Sequence, residues 1–342
     1  MYPPEPSTPW HDPRWRVKGD NPLQAGLRLQ QSWWRQECRG IRDAGPLYAS
    51  PKKGEVPRKR NPLVASMLPE SIVNFMPNLM WREGVAAYQA ALAELNTAAG
   101  IIYEDRLRRN LLSSQPLCFN TFGYLSQTEP DALLPWVQDF SPAATAVSRV
   151  RLEYAPDAAE LGELPLGGSA FDAFVEYDLP DGAVGFIGIE TKYHEDLGKG
   201  LKIPADESPA RAKYEKETSL RPWQAGAASR LLSHRKNLQF WYNQLLAQRT
   251  FELVRDTSGA RRYSDYTEVV VASRHDESAM EVVATLKGEL AEGHEETLRF
   301  CAIEGLVDRV RGHKDWKRDL RQRYTDFEPI QDYLSARSPL KL

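Results

Sequence analysis

Apolar positions recur at three- and four-residue steps from residue 78 to 99, where Met80, Trp81, Val85, Tyr88, Leu92 and Leu95 mark one helical face that ends before Gly100. Shorter helices are expected around 23–37, over 101–112, and over 131–140 just after Pro130. From residue 146 the period changes to two. Residues 146–154 (AVSRVRLEY), 169–177 (SAFDAFVEY) and 184–193 (VGFIGIETKY) each read as strands, with Asp181 and Gly182 supplying the turn between the last two. A stripe through Ala228, Leu231, Arg235, Leu238, Tyr242 and Leu245 predicts one long helix over 225–248. The nearly continuous apolar run TEVVVAS (267–273) is what a strand buried on both faces requires. A helix over 277–290, a strand over 299–303 and a closing helix over 314–334 complete the pattern. Residues 195–223 are polar and Pro-punctuated and read as a long surface loop.

The order helix, strand, strand, strand, helix, strand predicts an α/β layer fold with helices packed on a mixed sheet. Three regions are expected. Residues 1–75, rich in Pro, Arg and Trp, form an arm over the main body, ordered in part by Trp15, Trp33 and Trp34. Residues 76–275 form the core with its upstream helices, and 276–342 a mostly helical extension.

Composition narrows the class. With 42% hydrophobic and 27% charged residues, the chain of 342 residues is an ordinary globular protein. It lacks the basic start and apolar run of a secretory signal, and its apolar stretches are too short for a membrane span. Cys38, Cys118 and Cys301 are widely spaced, which argues against a disulfide framework and a cysteine zinc site; the cytoplasm is the expected compartment. Net charge is −3, yet basic residues cluster at Lys52, Lys53, Arg58, Lys59 and Arg60, and again at Arg309, Arg311, Lys314, Lys317, Arg318, Arg321 and Arg323. Such clusters suit phosphate contact, or equally a solvated surface.

The chemistry concentrates in residues 169–195. Alternation along a strand puts Glu190 and Lys192 on one side, with Gly188 and His194. If the two strands pair through the turn near Asp181, Asp172 stands across from Glu190. Two carboxylates about 4 Å apart repel by about 4 kcal/mol at an effective dielectric of 20. A hard divalent cation relieves this, and Mg²⁺ takes one or two carboxylates plus water and phosphate oxygens. Lys192 beside it can hold or help deprotonate an attacking water and stabilise charge on a phosphate. The bland alternative is an exposed Glu–Lys pair on an edge strand, but the apolar neighbours Phe186, Ile187 and Ile189 predict a central strand, where charge is costly without a partner.

An Asp followed after 17 residues by Glu-x-Lys on the next strand resembles the active-site motif of the PD-(D/E)XK nuclease superfamily, with Phe171 in place of the motif's proline. The stretches LLSSQPLCFNTFGYL (111–125) and FDAFVEY carry the resemblance toward a bacterial branch. The resemblance implies a restriction-endonuclease-like core of α-β-β-β-α-β order with N-terminal and C-terminal helical extensions. It implies that Asp172 and Glu190 bind the metal, that the Thr191 carbonyl adds a ligand, and that Lys192 serves the water. It further implies an upstream acid, Glu104 or Glu153, and a catalytic glutamine on the following helix, Gln239. The implied activity is Mg²⁺-dependent phosphodiester hydrolysis, with Mn²⁺ substituting. DNA is the expected partner, a membrane is not, a homodimer is allowed, and defence against foreign DNA is the implied biology. The alternative is a non-cleaving nucleic-acid-binding protein of the same fold.

Other features carry less. No GxSxG elbow or Walker A loop is present. Phe240, Trp241 and Tyr242 are adjacent and predict core packing with one exposed ring. Asn120 reads equally as a satisfied buried amide or a substrate contact, and His194 as a strand end beside the site.

Overall fold

The computed structural model describes residues 19–48, 59–95, 102–161, 169–195, 197 and 201–331. Trp15, Lys52, Lys53 and Arg58 lie outside the described residues, and the side chains of Lys59 and Arg60 are likewise not described.

Helix α1 (Pro22–Trp33) starts at an Asn21 capping box closed by Gln24 and continues into a π-helical turn (Trp34–Cys38). Strands β1 (Gly45–Tyr48) and β2 (Lys59–Val64) pair antiparallel. Next come α2 (Arg82–Leu95), α3 (Glu104–Arg109), α4 (Ser114–Cys118), α5 (Tyr124–Gln127) and α6 (Leu134–Val137). A π-helical turn (Phe119–Gly123) joins α4 to α5, and its Phe119 and Phe122 are fully buried.

Strand β3 (Ala146–Tyr154), the short helix α7 (Ala158–Leu161), β4 (Phe171–Asp178) and β5 (Val184–Thr191) lead to α8 (Pro209–Ser219), α9 (Ala227–Leu232) and α10 (Leu238–Leu253). The chain closes through β6 (Asp265–Ala272), α11 (Glu277–Glu289), β7 (Leu298–Ala302), α12 (Ile303–Arg309) and α13 (Lys314–Tyr324). One mixed sheet runs in the order β3-β4-β5-β6-β7. Its β3–β4 and β4–β5 pairs are antiparallel, and β5–β6 and β6–β7 are parallel. Strand β5 is therefore central, and the sheet extends past residue 275 to include β7.

Alternation sorts the two faces. Ala173, Val175, Tyr177, Ile187, Ile189, Val269 and Val271 pack under the N-terminal helices, α12 and α13. Phe174, Phe186, Tyr266, Val270 and Ala272 face α8 to α11. Helices α1 and α13 meet here. Gln31 of α1 donates to the Arg323 carbonyl and the Tyr193 hydroxyl, while the Arg323 guanidinium lies 4.2 Å from the Trp34 ring.

Three expectations change. The expected loop over 195–223 contains α8, capped by Ser208 with Pro209 at its first position. Its charged surface hides it from an apolar period, and Tyr214, stacked on Tyr242 at 4.5 Å and 7°, is its anchor. The single helix expected over 225–248 is two helices, because His234 adopts an extended conformation and Asn237 Nδ2 donates back to the Leu231 carbonyl. Phe240, Trp241 and Tyr242 are all buried, leaving no exposed ring, because α10 is covered by α8 as well as by the sheet. Asn120 is satisfied on every side by the Asn78 carbonyl, the Tyr324 hydroxyl and the Met80 N–H. Its role is structural. Among the described residues, no helix is long and apolar enough to cross a membrane.

Candidate active site

The β4–β5 register runs to Ala173↔Ile189, whereas β4 stays with β3 as far as Tyr154↔Phe171 and β5 with β6 as far as Thr191↔Val271. The two strands part just where Asp172 and Glu190 stand. Asp172 turns to the far end of β5, where its Oδ2 accepts from the Thr191 N–H at 2.8 Å and the Thr191 hydroxyl at 2.6 Å. The Cys118 thiol, from α4, donates to the Asp172 carbonyl.

Glu190 and Lys192 are 2% and 6% exposed, so neither belongs to an edge-strand surface pair. Lys192 Nζ pairs with Glu190 Oε1 at 2.5 Å. Gln239 Nε2 donates to the same oxygen at 2.5 Å, and Asn243 Nδ2 to Oε2 at 2.6 Å. Gln239 and Asn243 are four apart in the first turns of α10 and so share one face. The break at His234 matters here, since it starts α10 at Leu238 and aims that face at the end of β5.

Burial raises the Glu190 carboxyl to about 7, the Asp172 charge adding to the effect and Lys192 and Asn243 opposing it. Burial likewise raises Asp172, against the pull of Lys192 and the Thr191 hydrogen bonds. For Lys192, burial favours the neutral amine, but Glu190, Glu195 and Asp172 outweigh it and hold the ammonium above its ordinary value. Lys192 is thus a fixed positive charge.

Two further carboxylates complete the surroundings. Glu195 accepts from the Ser114 N–H at 2.7 Å and from the Tyr193 and His194 N–H groups, tying α4 to the end of β5. Burial opposes its charge, but Lys192 and these donors prevail and lower its pKa. Glu268, on β6, is 0% exposed, and neither of its oxygens has a hydrogen-bond partner. Burial, then the Glu190 and Asp172 charges, push its carboxyl well above the usual range. An uncompensated buried carboxylate costs several kcal/mol on the order-of-magnitude scale of ion desolvation.

The sequence-predicted residues Asp172, Glu190, Thr191, Lys192 and Gln239 therefore come together. Of the two upstream acids, Glu153 stands beside the site: it accepts from Gln115 Nε2 at 2.9 Å, and its charge acts on Cys118 together with those of Asp172 and Glu190. Glu104, at the start of α3, is on the surface and pairs with Arg108, so the structure leaves it apart from the cluster. His194 turns toward α1, with Nε2 3.2 Å from Arg28 Nη2. Asn243, Glu195 and Glu268 were not legible as site residues, although a lone acid inside the apolar run TEVVVAS was a signal that could have drawn attention to Glu268. Four of the five arginines of the C-terminal cluster are spent on carboxylates: Arg309 on Asp139, Arg311 on Asp131, Arg318 on Asp315 and Asp319, and Arg321 on Asp308. That favours a solvated surface over a phosphate-binding one.

Among the described residues, no three acidic, His or Cys side chains converge closely enough to hold a metal by themselves. Mg²⁺ needs only one or two carboxylates, water and substrate oxygens supplying the rest. A pair of hard oxygen donors with two further carboxyl groups, Glu195 and Glu268, near them fits that requirement.

A mixed five-stranded sheet with helices on both faces is consistent with a nuclease fold of the PD-(D/E)XK kind. The family model described as the PD-(D/E)XK nuclease superfamily matches residues 18–326, and the chain belongs to that superfamily. No similar curated protein and no similar solved structure was found.

Proposed function

We propose that this chain is a Mg²⁺-dependent nuclease that hydrolyses phosphodiester bonds in DNA, with Asp172, Glu190 and Lys192 as its catalytic residues. Superfamily membership supports a nuclease acting on nucleic acid. The observation that carries the reading to this site is Glu190, a buried carboxylate fixed by Lys192, Gln239 and Asn243 while the Asp172 charge bears on it. On this reading the core is restriction-endonuclease-like, its α-β-β-β-α-β order running from the α4–α5 segment through β3, β4, β5 and α10 to β6, within residues 76–275. The cytoplasm is the proposed compartment, and action against foreign DNA the proposed biology.

A divalent cation at Asp172 and Glu190, whether Mg²⁺ or Mn²⁺, would supply Lewis-acid stabilisation of the phosphate's developing charge. The protein's own groups do the positioning. Thr191 fixes one oxygen of Asp172, and Gln239 and Asn243 fix both oxygens of Glu190, so that neither carboxylate must reorganise during reaction. Lys192, held as an ammonium, orients the attacking water by donation and opposes the negative charge that builds on the phosphate. Being kept charged, it is a poor base. Glu153 is the upstream acid of this reading, since Glu104 lies apart.

Purified protein with Mg²⁺ or Mn²⁺ is expected to nick or degrade DNA, and Lys192→Ala and Asp172→Asn to abolish this while keeping the parent's circular dichroism. Cleavage by both variants at the parent's rate would refute the assignment.

A further inference from the structure

Among the described residues, buried carboxylates are matched to partners, with one exception. Glu176, on the same sheet face, meets Arg262 Nη2 and the Tyr263 hydroxyl, each at 2.8 Å. Glu217 has Arg221, Glu304 has Arg274, and Asp276 accepts from the Ala279 N–H. Glu268 alone among the buried acids described is without a hydrogen bond or ion pair at either oxygen.

Its placement is specific. Strand β6 runs parallel to β5 with Glu268 level with Gly188, two residues before Glu190 and on the same face. A Cβ added at Gly188 would overlap Glu268 Oε2 and the Phe171 ring. The Glu268 carboxylate thus leans from β6 across the bare backbone of β5, into space that only glycine leaves open, toward Glu190 and Asp172, whose charges bear on it. The cluster then holds the carboxyl groups of Asp172, Glu190, Glu195 and Glu268 and one ammonium, Lys192. Leaving one acid without a partner beside two others, while the remaining buried acids described are paired, leaves oxygen donors uncommitted at that point.

We propose that Glu268 is a supporting acid of the cation site, whose uncommitted oxygens across Gly188 raise the affinity of the Asp172–Glu190 pair for a divalent metal ion. The proposal rests on the metal-dependent reading above and adds to it a residue on β6. Glu268 is a positioning residue: it stands beside the two acids with both of its own oxygens unspent. Supporting carboxylates of this kind change metal affinity by roughly 10–100-fold.

The test is Mn²⁺ binding to the full chain, followed by the loss of the free-ion electron paramagnetic resonance signal and by the shift in melting temperature that Mn²⁺ produces. The isosteric Glu268→Gln is expected to bind Mn²⁺ roughly 10–100-fold more weakly and to show a smaller metal-induced shift. Glu268→Asp, which keeps the carboxyl, should recover part of both, and Glu176→Gln, whose acid is already paired, should match the parent. If Glu268→Gln binds Mn²⁺ as tightly as the parent, the role of Glu268 is refuted while the metal site stands. If the parent itself takes up no Mn²⁺, the metal-dependent reading fails, and this inference with it.

Discussion

Asn243 Nδ2 donates to Glu190 Oε2 at 2.6 Å, so the helix that follows the Glu-x-Lys strand grips the carboxylate that the strand presents. Gln239, one turn earlier, grips the other oxygen together with Lys192. The carboxylate is therefore held from two elements that are about fifty residues apart in the chain.

This grip predicts how the two amides behave. Asn243→Ala frees Glu190 Oε2 and Gln239→Ala leaves Oε1 to Lys192 alone, neither removing charge, and misplacement of a catalytic group can cost roughly 10²-fold in rate. Single-turnover DNA cleavage with Mg²⁺ should slow by roughly 10–100-fold in each variant, with substrate affinity near the parent's. Unchanged rates in both would show that Glu190 needs no positioning from α10.

Arg323 clamps α13 to Asn78 and to the turn at Trp34. It is fully buried, donates to the Asn78 carbonyl at 2.8 Å and to the Asn78 side-chain oxygen, and lies over the Trp34 and Tyr324 rings. Arg323→Met keeps most of the bulk but orphans the Asn78 side-chain oxygen, while Asn120 still donates to the carbonyl, at a cost of about 1–3 kcal/mol. Urea denaturation should report a lower midpoint at an unchanged slope. An unshifted midpoint would mean that α1 and α13 are held together without it.

Paired surface arginines should contribute little to nucleic-acid binding. Arg311 and Arg318 already face Asp131, Asp315 and Asp319. Arg311→Ala and Arg318→Ala should alter stability by less than about 1 kcal/mol. They should also leave the salt dependence of DNA binding unchanged, whereas loss of a phosphate contact lowers that slope by about 0.9. A shallower slope in either variant would assign that arginine to the DNA interface after all.

Thiol chemistry gives a prediction with a definite sign. Burial, the largest influence, raises both Cys38 and Cys301 to about 11, so the fold favours their neutral form. Stability from these groups is complete below about 9, the ordinary thiol value, and is lost as pH climbs from there through about 11. At pH 8 only roughly one thiol in a thousand at these sites is ionised. Labelling of the native protein by an aromatic disulfide at pH 8 should therefore be slow, and fast once the chain is unfolded in urea. Equally rapid labelling of the native form would contradict the burial.

Much of the fold was legible because its main signals are local. The strands around 146–154, 184–193 and 267–273 and the helix at 277–290 rest on period and turn chemistry, and they stand close to where those patterns put them. What eluded the pattern has a physical cause in each case. Helix α8 carries little apolar surface, so its packing through Tyr214 leaves no period to read. The break between α9 and α10 rests on the extended His234 and a hydrogen bond from Asn237 back to Leu231, and the continuous apolar stripe conceals it.

For the site, the chain alone determined the chemistry on offer: an Asp on one strand, a Glu and a Lys two residues apart on the next, and a glutamine on the helix beyond. Strand alternation fixes which side Glu190 and Lys192 share, and that is a property of the backbone. Only the tertiary structure decided the rest, because contacts between segments far apart in sequence are set by packing. It parted β4 from β5 at Asp172, turned α10 so that Asn243 reaches Glu190, chose Glu153 over Glu104 as the neighbouring acid, and laid an unpaired Glu268 across Gly188.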